Sequence, residues 1–190
     1  LDNSSAMIEY AEKVYPDLTF QHGNAENYQY PNGSFTHILC LYFTIYYMKN
    51  KDLMFKNCFN WLVPGGYIVL HLVNKNMFNP VLPSSNKIRN VNTQKYENGR
   101  ITKSILKLDQ YNYTSHFKLE GNENMNESIF QEKFTDNSGK VRQNNHIFYM
   151  ETQKDILFKA KDAGFILLAK VDMASIDYNH QYLYILQKPN

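Results

Sequence analysis

The residue types that could do chemistry in this sequence are an early carboxylate and two of its six histidines. Asp2 comes just before a helix start at Ser4 or Ser5, where a carboxylate can act as a cap or accept two hydrogen bonds from a ligand. His71, near the end of a predicted central strand, and His146, in a β-rich segment, are the candidates for a proton acceptor, although a lone strand histidine is more often structural. The histidines and cysteines show no metal-ligand spacing, and no nucleophile elbow or Walker loop is present. We therefore predict no metal site.

The composition predicts a globular protein. Its 190 residues are 43% hydrophobic and 15% aromatic, which is enough for one domain with a sizeable core. The net charge of +2 comes from dispersed Lys and Arg, so no nucleic-acid partner is expected. No apolar run reaches about 18 residues, so no membrane span is predicted. Cys40 and Cys58 are expected to be buried and reduced, which favours a cytoplasmic protein.

Helices and buried strands alternate in the first part of the chain, which indicates βαβ units. A capped helix is predicted to end at Tyr15. Asp52 is the predicted N-cap of the next helix, whose apolar face would carry Leu53, Phe55, Phe59 and Leu62. Pro64-Gly65-Gly66 is predicted to be a turn, because proline ends a helix and glycine can adopt a positive φ. Strands are predicted over residues 18–22, 35–41 and 67–73.

The second half of the chain adds a β-rich segment to this sheet. Residues 74–100 are predicted to form a loop or lid, and the turn signal Asn137-Ser138-Gly139 indicates a hairpin. Strands are predicted over residues 101–120, 127–136 and 141–150. A helix over residues 152–163 and two strands over 165–171 and 181–187 follow, the strands as an antiparallel edge pair. The fold class is therefore α/β: one domain over 1–190 with a mostly parallel sheet and an insertion over 74–150.

Three segments, in this order, resemble class I S-adenosylmethionine-dependent methyltransferases. They are Asp2-Asn3-Ser4-Ser5-Ala6-Met7, Gly23-Asn24-Ala25-Glu26, and the helix that leads into Pro64-Gly65-Gly66 and a buried strand. The resemblance implies a Rossmann-like sheet and S-adenosylmethionine as cofactor, with the Asp2 carboxylate accepting both ribose hydroxyls. Asn24 stands where the family usually has Asp, so its carbonyl would accept from the adenine amino group. The other cofactor residues that the resemblance implies are Ser4, Met7 and Ala25, whose N–H would face adenine N1.

The resemblance also implies where the methionine end of the cofactor and the acceptor would lie. Ligands of open α/β sheets bind beyond the carboxyl ends of the strands. Leu41 and Tyr42 are therefore expected at the cofactor and Tyr46 at the acceptor, although these residues could equally be core.

The segment leading to Tyr149 is similar to the hairpin insertion that covers the acceptor pocket in small-molecule N-methyltransferases, including those for nucleotide-linked amino sugars. Tyr149 is therefore a candidate for acceptor binding. We expect methyl transfer to a small-molecule nitrogen or oxygen, which needs a base such as His71 or His146 only if the acceptor must lose a proton.

One feature of the family has no counterpart in the sequence. Members carry a first strand and a Gly-rich turn before the segment that matches Asp2, so we expect the sequence to begin after them. Strand edges left open in this way would favour self-association. The alternative function is a non-catalytic methyltransferase-like binding or scaffold module, which Asn24 and Thr36 favour because the family often has acids there. RNA modification ranks lower, because the tyrosine-rich insertion lacks a basic track.

Overall fold

The computed structural model describes residues 1–77, 103–119, 126–176 and 178–190. The chain divides into two compact units. The first consists of Leu1–Leu70, Lys154–Lys170 and Tyr184–Asn190, and the second of His71–Gln153 and Val171–Leu183. Most of the predicted lid lies outside the described residues, and a single domain with an insertion stays a prediction. No helix in the described ranges is long and apolar enough to cross a membrane.

The helices are α1 (Ser5–Val14), α2 (Thr44–Tyr47), α3 (Lys51–Trp61) and α4 (Gln153–Asp162). α1 begins as predicted, because the Ser4 hydroxyl accepts a hydrogen bond from the Met7 N–H at 3.4 Å. The predicted N-cap of α3 is wrong: Asn50 caps it by accepting from the Leu53 N–H at 3.0 Å, and Asp52 lies in the first turn. Asn and Asp cap helices about equally well, so the sequence does not choose between them.

The buried face of α3 is rotated from the predicted one. Leu53 is 40% exposed, whereas the buried apolar residues of the helix are Met54, Phe55, Cys58 and Trp61. The ring of Phe59 packs at 5.2 Å from that of Phe165, which follows α4. Apolar residues occur nearly all round α3, so their period does not define a single face.

The strands are β1 (Phe35–Cys40), β2 (Leu62–Val73), β3 (Lys103–Lys107), β4 (Tyr111–Leu119), β5 (Glu127–Asp136), β6 (Val141–Tyr149), β7 (Ile166–Asp172) and β8 (Gln181–Gln187). They form two four-stranded sheets, in the orders β1-β2-β8-β7 and β3-β4-β5-β6. β1 and β2 are parallel. Backbone hydrogen bonds Gly65–Lys188 and Asn74–His180 make β8 antiparallel to β2. β8 and β7 are thus the last two strands at one end of the sheet, which agrees with the predicted pair at its edge.

The Pro64-Gly65-Gly66 segment lies inside β2 rather than before it. β2 pairs Leu62 with Phe35, and the next pair along the strands is Tyr67 with His37. The extra residues on β2 form a bulge, in which Gly65 adopts φ +74°. The glycine is therefore needed for its backbone conformation, as predicted, but within a strand. The predicted strand over residues 18–22 is reduced to an isolated parallel bridge between His22 and Asp2.

The sheet β3-β4-β5-β6 is antiparallel throughout. The predicted run over residues 101–120 contains two strands, because the Leu108 N–H donates to the Tyr111 carbonyl at 3.0 Å and closes a turn. The turn signal at Asn137-Ser138-Gly139 is confirmed. Asp136 accepts hydrogen bonds there from the Ser138 and Lys140 N–H groups, both at 2.9 Å.

Candidate cofactor site and a second polar cluster

The first unit contains a cavity of about 530 Å³. Its wall is made by segments far apart in the sequence: the chain start, the loop at residues 23–26, strand β1 and helices α2 and α3. Asp2, Asn24 and Ala25 all line it, as do Asn3, Glu26, Tyr30, Ile38, Leu39, Cys40, Thr44, Tyr47, Met54, Cys58 and Trp61. Polar side chains from the chain start and the loop therefore border a space that apolar side chains of β1 and α3 also line.

Asp2 is held in place by its backbone. Its N–H donates to the Gln21 carbonyl at 3.0 Å, and its carbonyl accepts from the Gly23 N–H at 2.8 Å. The carboxylate Oδ1 accepts from the Ser4 N–H at 2.8 Å, just before α1. Because a carboxylate has two oxygens with about four acceptor positions, it retains capacity for further donors.

The loop at residues 23–26 is closed by Asn24. Its Oδ1 accepts from the Glu26 N–H at 2.9 Å, and its carbonyl accepts from the Tyr28 N–H at 2.7 Å. An N–H can only donate, so its partner must be the oxygen of the Asn24 amide rather than the nitrogen. The structure thus uses within the loop the oxygen that we expected to accept from adenine. A side chain at Gly23 would collide with the ring of Tyr28, which explains the glycine.

The apolar wall is aromatic and contains two thiols. The ring of Tyr30 packs edge-on against Phe35 at 4.9 Å and against Trp61 at 5.2 Å. Cys40 and Cys58 are both free and buried, as predicted. Burial raises the pKa of Cys40 to about 12 and raises that of Cys58 as well. Neither thiol is therefore a nucleophile at neutral pH.

The other residues that the resemblance implied for the cofactor lie outside this wall. The Ser4 hydroxyl caps α1, and Met7 is 59% exposed. Leu41 and Tyr42 follow β1 and are 40% and 60% exposed, with Tyr42 at φ +54°. Tyr46 is fully buried, so the structure does not present it to a ligand.

The second unit holds a hydrogen-bonded cluster on neighbouring strands. The Tyr113 hydroxyl on β4 donates to Glu132 Oε1 on β5 at 2.7 Å. His146 Nε2 on β6 lies 3.0 Å from Glu132 Oε2, and the imidazole stacks at 5.7 Å on the ring of Phe130. Burial raises the pKa of Tyr113, as does its hydrogen bond to Glu132. A carboxylate that receives the imidazole N–H fixes the orientation of the ring.

Tyr149 lies three residues after His146 on the same strand. Side chains alternate between the faces of a strand, so Tyr149 and His146 lie on opposite faces of the sheet. The two residues therefore cannot line one pocket on a single face.

His71 is 3% exposed in β2, with its ring 6.5 Å from that of Tyr178. Burial lowers the pKa of His71, against the opposing effect of a hydrogen bond with Gln181. The ring is therefore neutral at neutral pH. Among the described residues, no three His, Cys, Asp or Glu side chains are grouped so as to hold a metal ion.

Two residues that hold the loop at residues 23–26 against α3 were not predicted from the sequence. Glu26 belongs to a motif that gave its side chain no role. In the structure its carboxylate accepts a hydrogen bond from the Asn50 N–H at 2.6 Å. No sequence pattern marks Asn57, because its hydrogen bond is to a loop that is distant in the sequence and packs against α3.

Comparisons with known proteins agree with the fold. A family model described as a methyltransferase domain matches residues 1–66. A search of curated proteins finds no match. One similar structure is an S-adenosylmethionine-dependent methyltransferase from Clostridium acetobutylicum, with 18% identity and TM-score 0.74 over 99% of this chain and 73% of that chain.

Two further similar structures are sugar-modifying enzymes. CalS10 from Micromonospora echinaspora, an amino pentose methyltransferase solved with S-adenosylmethionine bound, has 14% identity and TM-score 0.65 over 97% of this chain and 71% of that one. KedS8 from Streptoalloteichus, a sugar N-methyltransferase, has 14% identity and TM-score 0.65 over 99% of this chain and 69% of that chain. At such identities the likeness shows the fold. The family match covers residues 1–66, the part of the chain that contains the motifs similar to those of class I S-adenosylmethionine-dependent methyltransferases.

Proposed function

We propose that the cavity of the first unit binds S-adenosylmethionine and that the protein transfers its methyl group to a small-molecule nitrogen or oxygen. The observation that carries this proposal is that two separate motifs meet at one cavity. Asp2 belongs to the first motif and the loop at residues 23–26 to the second, and both line this cavity. Its volume of about 530 Å³ lies within the roughly 300–1,000 Å³ that is usual for cofactor and ligand sites.

The donors and acceptors at the cavity fit an adenosine group. The Asp2 carboxylate can accept hydrogen bonds from ribose hydroxyls, because the Ser4 N–H occupies one of its about four acceptor positions. Apolar side chains of β1 and α3 offer a surface for the flat face of a base, and Ala25 offers backbone beside it. When bound, the cofactor supplies a methyl group on a sulfonium, which a lone pair can displace. The chain's contribution is to bind, align and exclude water.

We propose an amino sugar as the acceptor class to test first. This choice is supported by the similarity to KedS8, a sugar N-methyltransferase, and to CalS10, an amino pentose methyltransferase. We propose His146 rather than His71 as the proton acceptor, because Glu132 orients the His146 ring whereas His71 is buried. Contacts of Leu41, Tyr42, Tyr46 and Tyr149 with ligands stay predictions. Free, buried thiols support our placement of the protein in the cytoplasm.

A non-catalytic binding module is the alternative, and one observation favours it. The Asn24 oxygen is already bonded to the Glu26 N–H, so the loop offers one acceptor fewer to adenine. A module of this kind would keep the fold without methyl transfer.

The test is transfer of a deuterated methyl group from labelled S-adenosylmethionine to a panel of amino sugars and their hydroxyl counterparts, read by mass spectrometry. We expect transfer to at least one amine, and none with heat-denatured protein. Cofactor binding without transfer to any member of the panel would support the binding module instead.

A further inference from the structure

Asn57 is a polar side chain in the apolar face of α3. It is 8% exposed and adjoins the buried residue Cys58. Its Nδ2 donates to the Ala25 carbonyl and to the Glu26 carbonyl, each at 3.0 Å. A buried amide is costly unless it is hydrogen-bonded, and here both protons of one amino group reach the same loop.

Glu26 provides a second attachment of this loop to α3. Its Oε1 accepts from the Asn50 N–H at 2.6 Å, at the position that caps the helix. A negative charge is favourable at this end, because the helix dipole is positive there. Asn50 and Asn57 lie about two turns apart, so the loop is held on α3 at two separated points.

The attachment to Asn57 also decides which way the loop's polar groups point. The C=O and N–H of one trans peptide unit point in opposite directions. Drawing the Ala25 carbonyl towards α3 therefore turns the Glu26 N–H away from the helix, where it meets the Asn24 oxygen at 2.9 Å. The Asn24 oxygen is thus held inside the loop, and its amino group is the end that can reach a ligand.

We propose that Asn57 is the positioning residue of the loop that contacts the cofactor base. This inference rests on the proposed function, since it needs a cofactor in the cavity that Asn24 and Ala25 line. Asn57 acts through the loop and touches no ligand. Its loss frees the Ala25 and Glu26 carbonyls and lets the loop rotate, so base recognition weakens while the ribose contact at Asp2 remains.

The test compares two ligands by calorimetry: S-adenosylhomocysteine, and S-ribosylhomocysteine, which lacks the base. Asn57→Ala is compared with Asn60→Ala, which changes an exposed asparagine on the same helix. We expect Asn57→Ala to weaken S-adenosylhomocysteine binding at least about tenfold and S-ribosylhomocysteine binding by less than about twofold. Asn60→Ala should change neither.

Equal weakening of both ligands by folded Asn57→Ala would make Asn57 merely structural, and unchanged binding of both would also overturn the inference. If Asn57→Ala does not fold, Glu26→Ala removes the other attachment without opening a core cavity, and the same pattern is expected of it. If the unaltered protein binds no S-adenosylhomocysteine, the proposed function fails and this inference falls with it. Binding that is unaffected in Asn57→Ala refutes the inference alone.

Discussion

The hydroxyl of Tyr113 is the most direct place to test the cluster on the β4-β5-β6 face. The side chain is 1% exposed, and its hydroxyl donates to Glu132 Oε1 at 2.7 Å. Tyr113→Phe removes one oxygen and keeps the ring, which packs at 4.9 Å from Phe134. The substitution therefore isolates the hydrogen bond from the packing.

The expected loss of stability in Tyr113→Phe is that of one hydrogen bond, because Glu132 keeps its other partner. Hydrogen bonds to charged groups contribute about 1.5–3 kcal/mol, and Glu132 keeps its contact with His146 at 3.0 Å. We expect Tyr113→Phe to lower the free energy of unfolding by about 2 kcal/mol, or the melting temperature by about 4–8 °C for a chain of this size.

The contribution of Tyr113 to stability should decrease at high pH. Burial raises the pKa of Tyr113 above its ordinary value of 10.0, with a further contribution from Glu132. The folded state therefore holds this proton more tightly than the unfolded state does. The stabilisation is complete below the unfolded pKa and is lost as pH rises above it. The difference between the unaltered protein and Tyr113→Phe should thus shrink in alkaline solution.

Thermal melts of both proteins at neutral pH and at stepwise higher pH measure this difference. Tyr111→Phe is the matched control, because Tyr111 lies on the same strand with its ring 5.8 Å from Phe134 but is 36% exposed. Its melting temperature should stay within about 2 °C of the unaltered protein. Equal stability of Tyr113→Phe at neutral pH, or a difference that grows with pH, would refute the reasoning.

Three further predictions concern other parts of the fold. Ser4→Ala should cost about 0.5–1 kcal/mol by removing the cap of α1, and unchanged unfolding in urea would contradict this. Gly164→Ala should cost about 1–3 kcal/mol, because Gly164 has φ +105° and a Cβ would lie 2.8 Å from the Phe59 ring; an unchanged melting temperature would contradict this. Leu39→Lys should reduce self-association in sedimentation, because Leu39 is 65% exposed on end strand β1; equal association would exclude that edge.

The sequence was sufficient for most of the elements and for bringing two residues of the candidate site together. Apolar periodicity located β1, β5 and β6, because burial of one or both faces of a strand produces a regular pattern of apolar residues. The order of the motifs placed Asp2 and Asn24 in one site, and the cavity contains both. Motif order carries this information because it follows the strand order of the fold.

The sequence was not sufficient where contacts between distant segments decide the outcome. The Asn24 oxygen accepts from the Glu26 N–H within its own loop. This hydrogen bond depends on the one that Asn57 on α3 donates to the Ala25 carbonyl. The Tyr113–Glu132–His146 cluster depends on the register of three strands, which residue types do not specify.

The sequence itself places Tyr149 and His146 on opposite faces of β6, because they are an odd number of residues apart. Tyr46 is different, because an aromatic residue after a strand suits either a core or a site, and only its burial decides.

The central claim is that Asp2 holds a cofactor in the cavity of the first unit, and calorimetric titration with S-adenosylhomocysteine tests it most directly. Asp17→Ala serves as the control, since Asp17 is exposed and does not line the cavity. We predict micromolar binding that Asp2→Ala weakens at least about tenfold, because hydrogen bonds to a charged group are lost. Asp17→Ala should bind as the unaltered protein does. No binding by the unaltered protein, or equal binding by Asp2→Ala, would contradict the claim.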